Sequence, residues 1–212
     1  MTDTRQPLLR DLPASFETGP AWLRSLRGRA AGVLRADGLP THKTEAWRFT
    51  PPKKLVESTL SRAVVEAPQL RSAAPEGVNV RSLRDALENE PELLEGKLDL
   101  AGAPEHFAAL NTALFNDGLW IDVPSGVTVE APVEIAHALG TPGVAYPRVL
   151  VTLGESAQLT LIETYEVAGD DHLTNSVVEV DLGANAVMNH VRIHENAGLQ
   201  VGRVDVRQAA DS

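Results

Sequence analysis

The sequence predicts an α+β fold, with a mainly helical part over residues 1–103 and a β-rich part over residues 104–212. Two observations carry this. Apolar residues recur at spacings of three and four up to Asn116, and at spacings of two after Gly118. The second part is also punctuated by three similar corners: Pro124-Ser-Gly-Val-Thr-Val129, Gly154-Glu-Ser-Ala-Gln-Leu159 and Gly183-Ala-Asn-Ala-Val-Met188. Their glycines, Gly126, Gly154 and Gly183, stand 28 and 29 residues apart, close to a constant period. A parallel β-helix suits this spacing, and so does a sandwich with regular hairpins. Either can present a large rigid surface without a pocket. The pattern runs to the last residues without closing, as in an incomplete scaffold.

The helical elements follow in order. Leu23, Leu26, Ala30, Val33 and Leu34 share one helical face between Pro20, suited to a first turn, and Gly38, suited to a left-handed cap. Three prolines and two aromatics make Gly38 to Pro52 an ordered but irregular connection. Lys53 to Arg62 reads as a short helix, and Glu66 to Gly77, rich in Ala and Pro, as an exposed linker. Ser82 is placed to cap a helix through Asn89, with Asp85 in the reciprocal position. A short helix from Pro91 to Glu95 follows. A third runs from Pro104 to Asn116 with Phe107, Leu110, Leu114 and Phe115 on its apolar face.

Asp117-Gly118 then starts a strand over Leu119 to Val123. Val149, Val151 and Leu153 alternate with Leu150 and Thr152; Leu159 and Leu161 follow. Val178, Val180 and Leu182 oppose Val177, Glu179 and Asp181. Val187, Val191 and Ile193 point one way, with Met188, His190, Arg192 and His194 opposite as the solvent face. Asn189 falls on the apolar side of that strand, as a buried amide held by a neighbouring coil or as a sign that the phase is reversed. Val204 and Val206 begin a further run.

Composition narrows the chemistry. The chain has no Cys, which excludes disulfides, thiolate metal sites, thiolate ligation of an iron–sulfur cluster and Cys nucleophiles within it. A net charge of −10 disfavours nucleic acid and acidic membranes as partners. Arg24, Arg27, Arg29 and Arg35 read as a solvated helix face, and Lys43, Arg48, Lys53 and Lys54 as a loop. No apolar run approaches the roughly 18 residues of a membrane span, and Met1 to Ser15 lacks the apolar core of a secretory leader. A cytoplasmic protein is expected.

His190 and His194 would share a face on a helix and could hold zinc there. On a strand they stand roughly 13 Å apart along the chain, so one ion does not easily join them. They read as an exposed polar face. Glu163, Glu166, Asp170 and Asp171 could supply paired carboxylates for glycosidic bond cleavage, but Asp170, Asp171 and His172 read as a solvated turn. No nucleophile elbow, phosphate loop or metalloprotease helix is present. No residue is therefore assigned a catalytic, cofactor-binding or metal-binding role. Two other classes remain: a β-helix carbohydrate-active enzyme using surface carboxylates, and a cupin-like metal-binding sandwich using His190 and His194.

Three segments carry a resemblance to a known family. They are Gly38-Leu-Pro-Thr-His-Lys-Thr-Glu-Ala-Trp-Arg-Phe-Thr-Pro51; Phe107 to Val133, with its Leu-Asn helix, Asp-Gly turn and Val-Pro-Ser-Gly-Val corner; and Tyr146-Pro-Arg-Val-Leu-Val151 with Gly154 to Glu163 and Leu173 to Val180. Together they resemble the SufB/SufD family of iron–sulfur cluster assembly scaffolds, and the first segment resembles its SufD branch. The resemblance implies a helical N-terminal domain followed by a right-handed parallel β-helix, incomplete in this chain. It also implies a non-catalytic scaffold that pairs with SufB or as a SufD homodimer and engages the SufC ATPase. Any iron–sulfur cluster would be held transiently by the whole complex. The family's cluster and SufC-binding motifs match no position here, so the resemblance implies an N-terminal portion and carries over no functional residue.

Overall fold

The computed structural model describes residues 6–63, 67–99, 105–139, 142–167, 169–195 and 198–212. Helix α1 (Ala21–Asp37) begins after Pro20 and ends at Gly38, whose φ of 71° and N–H to Leu34 O close the C-terminus as expected. It buries Leu23, Leu26, Ala30, Ala31 and Leu34. Each fully buried Leu there contributes about 1.5–3 kcal/mol over an exposed one. Helix α2 (Lys53–Val56) is shorter than the spacing suggests, because its chain turns after Glu57. The segment read as a linker contains a two-residue strand, β1 (Gln69–Leu70), and a further strand, β2 (Asn79–Ser82), forms where none is expected from the residues.

Helix α3 (Leu83–Asn89) has Ser82 as its N-cap, accepting the Asp85 N–H at 3.1 Å. The reciprocal half of the capping box does not form: Asp85 Oδ1 accepts from Asn89 Nδ2 instead. Pro91–Leu93 is a single 3₁₀ turn. Helix α4 (His106–Leu114) is buried from Phe107 to Leu114, not on one face only. The expected boundary at residues 103 and 104, and the expected helix start at Pro104, lie outside the described residues.

The strands that follow are β3 (Gly118–Val123), β4 (Val133–Leu139), β5 (Gly143–Ala145), β6 (Arg148–Leu153), β7 (Gln158–Val167), β8 (His172–Leu182), β9 (Val187–Glu195) and β10 (Leu199–Gln208). They form two mostly parallel sheets. The first has the order β10-β8-β6-β3-β2, with β5 also on β8; the second has the order β1-β4-β7-β9. From β3 onward the chain alternates between the sheets, save that β5 and β6 both lie in the first, and β6 to β10 each pair in parallel with a strand one turn earlier. Gly118 faces Arg148 and Arg148 faces Val177, offsets of 30 and 29. In the second sheet Val133 faces Leu161 and Gln158 faces Val187, offsets of 28 and 29. Only β1 and β2 pair antiparallel with their neighbours among the described strands.

The corners hold this stack together. Pro124, Gly154 and Gly183 occupy equivalent positions: the N–H of Gly154 bonds Val123 O, and that of Gly183 bonds Leu153 O. A Cβ on Gly154 would lie 2.4 Å from Ser125 N, and one on Gly183 would lie 2.7 Å from Glu155 N. These glycines are there for close approach between successive corners. Gly126 belongs two residues later, at the left-handed position that Ser156 (φ 59°) and Asn185 (φ 57°) fill in the next turns. The three glycines of the sequence pattern are thus not equivalent, although the period they suggest is the structural one.

Between the sheets lies an apolar filling that includes Leu119, Ile121, Val133, Ile135, Val149, Val151, Leu159, Leu161, Val178 and Val180. The outer face of the first sheet packs against the helices through Trp120, Leu150, Tyr146 and Leu173. Both faces of β6 and almost all of β8 are therefore buried. Arg148, buried on that outer face, pairs with the buried Glu179 (Nη2–Oε2 2.7 Å) and donates to Asn111 Oδ1 and Thr112 Oγ1 on α4. Asn111 Nδ2 in turn donates to Pro147 O and Asn175 O. This network satisfies the polar groups of a helix that is otherwise wholly enclosed.

Candidate functional site

The apolar filling gives way to polar groups toward the C-terminal ends of β7 and β9. Register fixes which residues meet. Glu163 on β7 faces Arg192 on β9, and Tyr165 lies between His137 on β4 and His194 on β9. Inward-pointing positions alternate along each strand, so Glu163 and Tyr165 share one side of β7.

Glu163 is fully buried and both its oxygens are engaged. His137 Nε2 donates to Oε1 at 2.8 Å and the Tyr165 hydroxyl donates to the same atom at 2.6 Å. His190 Nε2 donates to Oε2 at 3.0 Å, where Arg192 Nε forms an ion pair at 3.1 Å. Arg192 Nη2 also donates to Tyr165 Oη at 2.7 Å and to Ser176 Oγ on β8 at 2.8 Å, tying the two sheets across the interior. The rings of His137 and Tyr165 stack at 4.3 Å between centroids, and those of Tyr165 and His194 at 5.0 Å.

These contacts set the protonation chemistry. Burial by itself would raise the pKa of Glu163. The hydrogen bonds from His137 and His190 and the charge of Arg192 outweigh it and hold the carboxyl well below the usual carboxylate range. Burial, then the neighbouring carboxylate, pushes the Tyr165 phenol far above its ordinary value. Burial and Arg192 pull His194 below an ordinary histidine. The result is an ionised, fully coordinated carboxylate with no oxygen turned toward a substrate. Its chemistry is that of a structural anion.

The residues weighed from sequence are distributed differently from expectation. His190 and His194 lie on a strand, as read, but His190 and Arg192 turn toward Glu163 in the interior, while His194, on the same side, stacks on Tyr165 and stays exposed. Val187, Val191 and Ile193 are the exposed side, and Asn189 sits with them beside Thr160. The phase of β9 is reversed because Glu163 needs donors opposite it more than Val191 needs burial. Glu166, three residues from Glu163, points outward and pairs with Arg71. Asp170 and Asp171 are exposed, whereas His172 is buried as the first residue of β8. The paired-carboxylate arrangement does not form. Among the described residues no group of three or more His, Cys, Asp or Glu is placed to hold a metal ion. His137 and Tyr165 escaped the sequence reading, and Arg192 was placed on the solvent face although it pairs with Glu163. The period of about 29 that spaces the corners also spaces 137, 165 and 194, and separates Glu163 from Arg192.

The basic stretches are solvated or cap backbone, with Arg24 on Gly19 O and Arg35 on Pro13 O. The irregular segment after α1 is ordered through the start of α4: Trp47 Nε1 donates to Glu105 Oε1 at 3.1 Å and packs edge-on against Phe107. Among the described residues no helix is long and apolar enough to cross a membrane.

Comparison with known proteins follows the same geometry. Residues 55–135 match the SufBD protein N-terminal region, and residues 136–212 match the SufBD core domain of the SUF system for FeS cluster assembly. The iron–sulfur cluster assembly protein SufD of Escherichia coli (strain K12) is 29% identical over 185 residues, covering 76% of this chain and 43% of that protein. SufD of Bacillus subtilis (strain 168) is 26% identical over 220 residues, covering 81% of this chain and 48% of that protein. An iron–sulfur cluster assembly SufBD family protein of Synechocystis is 28% identical over 106 residues, 44% of this chain and 23% of that protein. The chain thus spans less than half the length of these relatives. The two family regions fall in order and adjoin where β4 continues the second sheet, and together with the SufD relatives they identify the chain as a member of the SufB/SufD family.

Proposed function

We propose that the chain is part of a non-catalytic scaffold subunit of the SufD type, acting in the cytoplasm within a Suf complex that assembles iron–sulfur clusters. Its alternating parallel strands are the start of a right-handed parallel β-helix. Its partners are a SufB-type subunit, or a second SufD-type subunit, and the SufC-type ATPase. The cluster is the cargo of the complex and is held by the assembled subunits.

The observation that carries this reading is the ordered match of both family regions to a coil whose interior is filled by side chains. The closed cluster around Glu163 supports it, because the carboxylate best placed for acid–base work already accepts from His137, Tyr165 and His190. Family membership also supports a role in cluster assembly. Deletion of the gene in a cell that relies on its Suf system tests the proposal. Activities of iron–sulfur enzymes are expected to fall while their polypeptides persist, and to return with the gene. Undiminished cluster occupancy in the deletion strain would count against it.

A further inference from the structure

Three arginines from separate parts of the chain converge on the C-terminal end of α4. Arg27 Nη2 on α1 donates to Phe115 O at 2.9 Å, Arg84 Nε on α3 to Asn116 O at 3.4 Å, and Arg62 Nη2 to Leu114 O. Carbonyls at a helix C-terminus attract cations, but that partial charge is only about half an elementary unit. Three guanidiniums exceed it. Arg84 has a carboxylate partner in Asp117 (Nη2–Oδ2 3.4 Å), whereas Arg27 and Arg62 have none among the described residues. The Arg27 Nε–H is buried without an acceptor. Burial, then the charges of Arg62 and Arg148, pulls the pKa of Arg27 down to about 10, as expected where cations crowd without a counter-ion.

These side chains line an open cleft of about 390 Å³. Phe16, Leu23 and Leu87 give it apolar walls, Glu88 sets one carboxylate against the three arginines, and Thr18 is an exposed residue of the lining. In a chain of net charge −10 this is a local reversal of sign beside an apolar wall. Guanidinium groups favour oxyanions, whose oxygens accept in parallel from their planar donors.

We propose that this cleft binds a small organic oxyanion, a carboxylate or phosphate monoester whose head pairs with Arg27 and Arg62 and whose apolar body lies against Phe16, Leu23 and Leu87. The site is independent of the scaffold assignment, since none of the cleft's lining residues belongs to the Glu163 cluster.

Calorimetric titration of the intact chain with benzoate, phenyl phosphate and inorganic phosphate tests it. One of the two organic anions is expected to saturate the chain at one site, at least about tenfold more tightly than inorganic phosphate, and to weaken as salt rises. Arg62→Gln should weaken it by about tenfold or more. Thr18→Glu, at an exposed position, supplies a competing carboxylate and should abolish binding with no change in thermal midpoint beyond a few degrees. Absence of saturable binding of both organic anions up to about 10 mM would overturn the proposal. So would equal affinity for inorganic phosphate, or unchanged binding in Thr18→Glu and Arg62→Gln. If Arg62→Gln unfolds, the Thr18→Glu result decides.

Discussion

At the scale of single residues, the interior of the coil depends on one carboxylate. Glu163 is buried and ionised because His137, Tyr165, His190 and Arg192 surround it. Glu163→Gln keeps the shape and removes the charge, leaving Arg192 without its counter-ion and two donors facing an amide. A loss of about 3 kcal/mol is expected in urea denaturation, the size seen when one partner of a buried pair is removed. A loss under about 0.5 kcal/mol, the surface level, would show that the cluster is not holding the sheets together.

The pH dependence has a definite sign. The folded pKa of Glu163 lies below its unfolded value, so its stabilisation is complete above the ordinary carboxylate range. Below about pH 5 the unfolded chain takes up this proton before the folded chain does, and stability falls as pH falls toward the folded pKa. The limiting slope is about 1.4 kcal/mol per pH unit per proton. Unfolding free energies measured at successive pH values should fall more steeply below pH 5 in the parent than in Glu163→Gln. Parallel slopes would contradict the assignment.

The sequence told part of this. The strand through His190 and His194 was readable from alternation, but its inward face was not. The apolar residues of β9 lie outside, with Val187 49% and Val191 46% exposed, so the rule that places apolar residues inward gives the wrong phase. What decides the phase is a carboxylate 29 residues earlier in register, Glu163 opposite Arg192. Period, when applied to polar residues as well as glycines, carries that information.

At the scale of elements, the corners fix the stacking distance between turns. Gly154 is needed for close approach, since its Cβ would meet Ser125 N at 2.4 Å. Ser156 holds the left-handed conformation that glycine adopts without strain. The two positions should therefore respond in opposite directions. Gly154→Ala is expected to destabilise by roughly 2 kcal/mol or more, and Ser156→Gly to be neutral or to stabilise by up to about 1 kcal/mol, read as shifts in denaturation midpoint at constant slope. The reverse order would show that the corner equivalence is misassigned. Capping was the most legible feature at this scale: Pro20, Gly38 and Ser82 all stand where the helices begin or end. The extent of α2 and the strand β2 were not legible, because short elements are made by their neighbours. β2 exists through its pairing with β3, Arg81 opposite Trp120, and no local pattern announces it.

At the scale of the whole molecule, the two sheets and the helices form a layered body with α4 at its centre. The network from Asn111 through Arg148 to Glu179 joins helix to sheet. The last strand, β10, turns Val204 and Val206 toward the interior side, where they stay 41% and 52% exposed, and its outer edge is unpaired among the described strands. Edges of this kind favour pairing with further β structure, which accords with the proposed assembly role.

Co-purification tests that role most directly, with the chain tagged and expressed beside SufB- and SufC-type subunits from the same cell. The SufB-type subunit is expected in the eluate at near-equal amount, and the SufC-type ATPase only when the SufB-type subunit is present. Recovery of the ATPase by the chain alone would move the ATPase contact into this chain, and recovery of neither subunit would contradict the scaffold assignment.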